Sequence, residues 1–307
     1  MVMSQEFNPL YGTATDLAPG IRRIVAPNPS PMTFTGTNTY LVGTTDIAVI
    51  DPGPANTAHL DAILNAIDSS QHISHILVTH SHLDHAPLAR PLAQISGAPV
   101  CAFGDASAGR SAIMQALFWA DHTSGGEGID TAFVPDETVA DGQVLSGSDW
   151  CLEVLHTPGH LGNHICLGFN DICFTADHVM GWASSLISPP DGDLTDFMAS
   201  CQRLQARTWR RFYPGHGEII DDPHGRLEWL ITHRKAREAA ILAVLRQRAA
   251  DVSAITAAVY TDTPENLRPA AERNVLSHLI DLYGKSRVQS LGTLTADAVF
   301  EIVSEAQ

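Results

Sequence analysis

The sequence predicts an α/β fold, with a large domain over residues 1–250 and a small helical domain over residues 251–307. Three observations predict it. Short apolar, β-branched runs alternate with segments of helical apolar spacing between residues 21 and 220. One of those runs, residues 73–78, leads into His80-Ser81-His82-Leu83-Asp84-His85, three imidazoles and a carboxylate within six positions. After Asp251 the strand pattern gives way to short helices.

Taken in order, residues 1–20 read as a loosely organised lead-in. Strands are expected over 21–25, 38–42 and 47–50, the third stopped by Asp51-Pro52-Gly53. A helix over 57–69 places Leu60, Ile63, Leu64 and Ile67 at helical spacing. The histidine-tipped strand follows, then a helix over 88–95 and a short strand over 99–103. Residues 106–119 suit a helix and lead into Gly125-Gly126-Glu127-Gly128, a loop expected to rim the site. Strands resume at 151–156, 164–169 and 171–175. A loop over 181–193, a helix over 195–206 and a short strand over 211–213 come next. One long helix is expected from 223 to about 249, striped by Leu227, Leu230, Ile231, Ile241, Leu242 and Leu245. Helices at 252–260 and 269–284, a segment at 288–293 and a final turn at 296–303 complete the chain.

Composition bounds the function. With 307 residues, 44% hydrophobic and 17% charged, the chain is long enough for one large core and a second small one. No run of about 18 apolar residues exists, so no membrane span is expected. The first residues show neither the basic patch nor the apolar region of a secretory signal. Five scattered cysteines without CxxC spacing read as reduced thiols, which places the protein in the cytoplasm. A formal charge of −16 argues against a phosphate-backbone partner.

Neutral imidazoles and carboxylates are ordinary ligands of zinc and related ions, and a strand-end loop delivers four of them to one place. The alternative is a polar loop that happens to be histidine-rich. Further candidates at strand ends weigh against it: His160 in Thr157-Pro158-Gly159-His160, Asp177 after Phe174-Thr175-Ala176, and His216 in Pro214-Gly215-His216-Gly217. Each is punctuated by Gly or Pro, or ends a strand, as a rim ligand on a rigid scaffold should be. His156, His164 and His178 read as packing or supporting neighbours of the ligands. His72, His75, His122, His224 and His233 read as surface or helix residues. Tyr40, Trp119 and Trp182 are candidates to line a substrate pocket, with a core aromatic the plain alternative for each. Arg234, Lys235, Arg237, Arg246 and Arg248 read as the solvated face of a long helix, or as a grip on an anionic substrate.

The set His80-x-His82-x-Asp84-His85, His160, Asp177 and His216, in this order, resembles the metallo-β-lactamase superfamily. The resemblance implies an αββα sandwich holding two metals, usually zinc, with iron or manganese as alternatives. It assigns His80, His82 and His160 to one ion, Asp84, His85 and His216 to the other, and Asp177 to both. A water shared between two dications would supply hydroxide near neutral pH, with Asp84 orienting it or passing a proton to the leaving group. Retention of His82, where oxygen-reducing di-iron members carry glutamate, favours zinc hydrolysis. The interval from Asp177 to His216 is too short for the inserted domain of the RNA-cleaving branch. The tail, with residues 188–193 and 233–238, resembles a subgroup bearing a small winged-helix-like C-terminal domain. That subgroup includes lactamase-like proteins with endoribonuclease activity, and glyoxalase II-type thioesterases share the ligands. The implied activity is hydrolysis of an ester, thioester, lactone or amide in a small acyl substrate. Its alternatives are metal-dependent cleavage of RNA and a non-catalytic metal-binding protein. The tail, balanced in acids and bases, reads as a pocket wall or a homodimer contact rather than a nucleic-acid reader.

Overall fold

The computed structural model describes residues 7–120 and 128–303. Seven strands form the first sheet in chain order: β1 (Thr15–Ala18), β2 (Ile21–Val25), β3 (Asn38–Val42), β4 (Asp46–Ile50), β5 (His72–Leu77), β6 (Val100–Ala102) and β7 (Glu137–Thr138). The first four pair antiparallel, and β5, β6 and β7 join parallel. The parallel steps need crossovers, which carry α1 (Thr57–Asn65), α2 (Ala89–Ser96) and α3 (Ala112–Trp119). The second sheet holds β8 (Val144–Ser146), β9 (Cys151–His156), β10 (Ile165–Phe169), β11 (Ile172–Ala176) and β12 (Arg211–Pro214), in the order β12-β11-β10-β9-β8. The crossover from β11 to its parallel neighbour β12 carries α4 (Leu194–Gln205), and α5 (Pro223–Leu245) follows.

The strands read as near-continuous apolar runs because both faces of each sheet are covered. Period-two alternation sends Tyr40, Val42, Ala48, Ile50 and Leu77 inward, where they meet Leu152, Val154, Ile165, Leu167 and Phe174 of the second sheet. Their neighbours Leu41, Ile47, Val49, Ile76 and Val78 face outward onto Ile63 of α1 and Leu92 of α2. On the far side, Leu155, Cys166, Cys173 and Phe212 pack on Phe197, Leu204, Leu227 and Leu230 of α4 and α5. Helix, sheet, sheet and helix therefore stack as the expected αββα sandwich.

The C-terminal part comprises β13 (Ala250–Asp251), α6 (Val252–Val259), α7 (Arg268–Gly284), β14 (Val288–Ser290) and β15 (Val299–Ile302), with the strands ordered β13-β15-β14. Its core reaches back: Ile241, Leu242 and Leu245 of α5, with Met114 and Leu117 of α3, join Val275, Leu279 and Phe300. One long helix thus belongs to two cores.

Several expectations are corrected. The lead-in contains β1, paired with β2. The final turn at 296–303 contains β15, whose backbone is claimed by β13 and β14 on either side. The helix expected over 106–119 starts only at Ala112, because Ser111 is its N-cap and accepts a bond from Met114 N. Residues 125–127 of the expected rim, with His122, lie outside the described residues.

Candidate metal centre

Parallel pairing of β4 with β5 brings the ends of both strands to one edge of the first sheet. There Asp51, in the left-handed region at φ 50°, turns its carboxylate to the neighbouring strand. It accepts bonds from Thr79 N (2.8 Å), Thr79 Oγ1 (2.8 Å) and His85 Nδ1 (2.8 Å). Because the Thr79 hydroxyl donates to Asp51, its oxygen accepts from His80 Nδ1 at 2.9 Å. One carboxylate therefore orients both His80 and His85, leaving each Nε2 turned away from it. The same device recurs elsewhere. His160 Nδ1 donates to Leu186 O at 2.7 Å, and His216 Nδ1 to Gly36 O at 3.1 Å.

All seven sequence candidates meet. His80, His82, His160 and Asp177 offer ligand atoms within 4.8 Å of one another, and so do Asp84, His85, Asp177 and His216. Asp177 belongs to both groups. Space for it exists because residue 215 is glycine: a Cβ there would collide with Asp177 Oδ1 and His85 Cε1.

The two groups differ in charge. Burial dominates in the first and keeps all three imidazoles neutral, pushing His82 down to about 3. His82 Nδ1 lies 3.0 Å from both His80 Nε2 and His160 Nε2. Zinc bonded to three such nitrogens at its usual distance needs them about 3.3 Å apart, a small adjustment. In the second group burial opposes charge and loses. Asp177 and Asp84 drive His216 up to about 10, and Asp84, Asp177 and Asp51 hold His85 well above the histidine range. Both Asp84 and Asp177 stay well below the carboxylate range, because His85 and His216 outweigh their burial. His216 Nε2 lies 3.1 Å from Asp84 and 3.3 Å from Asp177. Even so, His85 Nε2, His216 Nε2 and Asp177 Oδ1 are buried without a hydrogen-bond partner. Buried polar atoms seldom go unsatisfied, and these three fit ligation by a cation.

The centre opens into a cleft of about 480 Å³ lined by His82, Asp84, His160, Asp177 and His216. Its walls are largely apolar, with Met32, Ile129, Leu161, Met180 and Leu186 from the sandwich and Leu267 from the C-terminal part. Ala270 and Arg273, one turn apart on α7, and Gly128 line it too. The aromatic candidates fare differently. Tyr40 is not a cleft residue: strand alternation buries its ring between the sheets, its hydroxyl donating to Pro214 O at 2.7 Å. Trp119 is 79% exposed at the end of α3 and does not line the cleft. Trp182 stacks on Phe34 at 5.0 Å beside Gly217, next to the His216 loop rather than on the cleft wall.

The supporting histidines have partners of their own. His156 stacks on Phe103 at 3.7 Å, His164 Nδ1 meets Thr157 Oγ1 at 3.0 Å, and His178 lies 3.5 Å from Cys201 Sγ. Sequence reasoning overlooked Asp51, taken only as a strand stop. The strand-end Asp-Pro-Gly one crossover before the histidine motif was its available signal. The α7 wall had none.

Buried His and Asp side chains that could hold a metal ion, gathered at the mouth of an αββα sandwich, define a metal-dependent hydrolase. The chain belongs to the metallo-β-lactamase superfamily, whose model matches residues 32–216, and carries a β-lactamase-associated winged helix domain matching residues 252–296. It is 33% identical over 293 residues to the β-lactamase-like protein 2 homolog of Drosophila melanogaster, covering 91% of this chain and 94% of that protein. An atrochrysone carboxyl ACP thioesterase of Cryptosporiopsis sp. is 29% identical over 235 residues, 75% of this chain and 64% of its own length. Among solved structures, a β-lactamase domain protein of Burkholderia ambifaria superposes with TM-score 0.80 at 18% identity, covering 97% and 96% of the two chains. A metallo-β-lactamase family protein of Thermus thermophilus gives 0.74 at 24% identity, covering 94% and 100%. Among the described residues no helix is long and apolar enough to cross a membrane.

Proposed function

We propose that this chain is a dinuclear zinc hydrolase of small acyl substrates, cleaving a thioester, ester, lactone or amide. The observation that carries the reading is the pair of His/Asp clusters joined through Asp177 at the base of an apolar cleft. His80, His82 and His160 would hold one ion, Asp84, His85 and His216 the other, and Asp177 both. When bound, the ions supply Lewis acidity toward the scissile carbonyl and bring a water's pKa near neutrality. The chain's own residues do the rest. The apolar walls take up the acyl chain and exclude bulk water. Asp84, held as a carboxylate and 23% exposed toward the cleft, is placed to carry a proton to the leaving group. Thr37 Oγ1 donates to Asp84 at 3.3 Å and steadies it. A thioesterase among the relatives supports acyl chemistry, and five unpaired cysteines support a cytoplasmic setting.

The test sets zinc-loaded protein against a thioester, a lactone, a β-lactam and a single-stranded RNA, beside Asp84→Ala. Turnover of an acyl substrate that disappears in the variant is the expected result. Cleavage of RNA alone, also lost in the variant, would replace this reading with a ribonuclease. Undiminished acyl turnover by Asp84→Ala would remove the assigned role of Asp84.

A further inference from the structure

Residues 183–193 close one side of the cleft and reach into the metal centre at two points. Leu186 O accepts the bond from His160 Nδ1. Ser185 Oγ donates to Asp177 O and to His178 O, the second at 3.0 Å. Arg226, Arg110 and Ser111 tie the ends of this loop at Ala183, Asp191 and Asp193, and its middle, residues 185–187, is held by one side chain of α5 and one of α7. Arg234 of α5 donates through Nη2 to Ser185 O and through Nη1 to Asn274 Oδ1 at 3.0 Å. Asn274 of α7 donates through Nδ2 to Ala270 O in its own helix. That bond fixes the amide's orientation, so Oδ1 faces the loop and also accepts from Ile187 N at 3.4 Å.

Packing does not explain Arg234. Its side chain is 2% exposed, lies over Phe197, and forms no ion pair among the described residues. Its Nε has no hydrogen-bond partner. A buried cation without a carboxylate costs several kcal/mol, and an apolar chain of similar volume would avoid that cost. What only a guanidinium supplies here is a rigid fork reaching a loop carbonyl and an amide of another helix at once.

We infer that Arg234 and Asn274 are positioning residues, bracing residues 185–187 so that His160 keeps its proton on Nδ1 and aims Nε2 at the metal centre. The winged helix domain, through Asn274, thereby becomes a determinant of metal affinity. This inference rests on the dinuclear zinc reading.

Metal-free protein is titrated with zinc against a chromophoric chelator, and its cobalt(II) spectrum is recorded. Asn274→Ala and Arg234→Met should each weaken one of the two ions roughly 10–100-fold, as loss of an outer-sphere partner does elsewhere. Both should alter the cobalt bands and lower kcat while KM moves less than about threefold. Arg234→Lys, which keeps the charge without the fork, should not restore the affinity. The control is Arg237→Ala. Arg237 ties α5 to the C-terminal part by donating to Val259 O at 2.9 Å and stacking on Tyr260, without touching the loop. It should lower thermal stability and leave both zinc affinities intact. Parent-like zinc binding and cobalt bands in Asn274→Ala would overturn the inference, and so would an equal loss of affinity in Arg237→Ala. Should Arg234→Met fail to fold, Asn274→Ala decides. A parent protein that binds no zinc would fell the dinuclear reading as well, whereas a parent binding two ions no better than the variants fells this inference alone.

Discussion

The two halves of the metal centre are built on opposite electrostatic plans. The trio His80, His82 and His160 is neutral, and burial keeps it so. The quartet Asp84, His85, Asp177 and His216 is already charge-paired without metal, with histidines 3.1–3.5 Å from carboxylates. The quartet holds itself together, while the trio's lone pairs face one another at 3.0 Å and Asp177 only at 3.7–4.0 Å. An incoming dication therefore meets unprotonated nitrogens on one side, and on the other must displace protons that two carboxylates hold in place.

The largest effect that tests this contrast is removal of one ligand from each half. His82→Ala and His216→Ala should each keep one zinc of two, counted by elemental analysis. Each should lose about a thousandfold or more in kcat/KM, since several kcal/mol of charge stabilisation goes with an ion. Two ions retained in either variant would dissolve the division into halves. A smaller effect is expected from Asp51→Asn, which weakens the acceptor shared by His85 and Thr79. Zinc affinity should fall roughly 10–100-fold, chelator competition being the assay. Equal loss at both ions would fit the relay through Thr79 to His80, and loss at one alone would confine Asp51 to His85.

The smallest effect separates the halves by pH in metal-free protein. His82 titrates near 3 when folded and near 6.5 when unfolded, so the unfolded state binds the extra proton between those values. Stability should then fall on acidification below pH 6.5, by about 2 kcal/mol at pH 5 from this residue. His216, raised to about 10, behaves oppositely: its contribution is complete below pH 6.5 and is lost as pH rises toward 10. Urea melts across pH should show His82→Asn flattening the acid limb and His216→Asn the alkaline limb. The reverse assignment would show that the two electrostatic environments had been exchanged.

What was legible in the sequence was local. His80 to His85 fall within one turn of chain, and His160, Asp177 and His216 each follow a strand within four residues, so the candidate set could be collected without knowing the pairing. The strands were legible because doubly covered strands leave continuous apolar runs, whereas their stacking as a sandwich was implied only by the resemblance that the histidine motif carries. Asp51 became visible only with the parallel register of β4 and β5, which is a non-local fact. Tyr40 misled for a related reason, since its residue type suits a pocket and only the sheet's alternation turns it inward. Strand β15 carries too little pattern in four residues to announce itself. The cleft wall of Leu267, Ala270 and Arg273 lies some fifty residues beyond the last ligand, where no motif marks it.

Helix α5 has a consequence for how the chain is made. Every candidate ligand precedes residue 217, yet Ile241, Leu242 and Leu245 of α5 share a core with residues as late as Phe300. During synthesis the sandwich can form first, carrying an apolar helix end with only Met114 and Leu117 of α3 to cover it. That end is a ready contact for chaperones or for a neighbouring nascent chain until the last strand emerges. Cutting the gene at residue 250 would make the interval permanent.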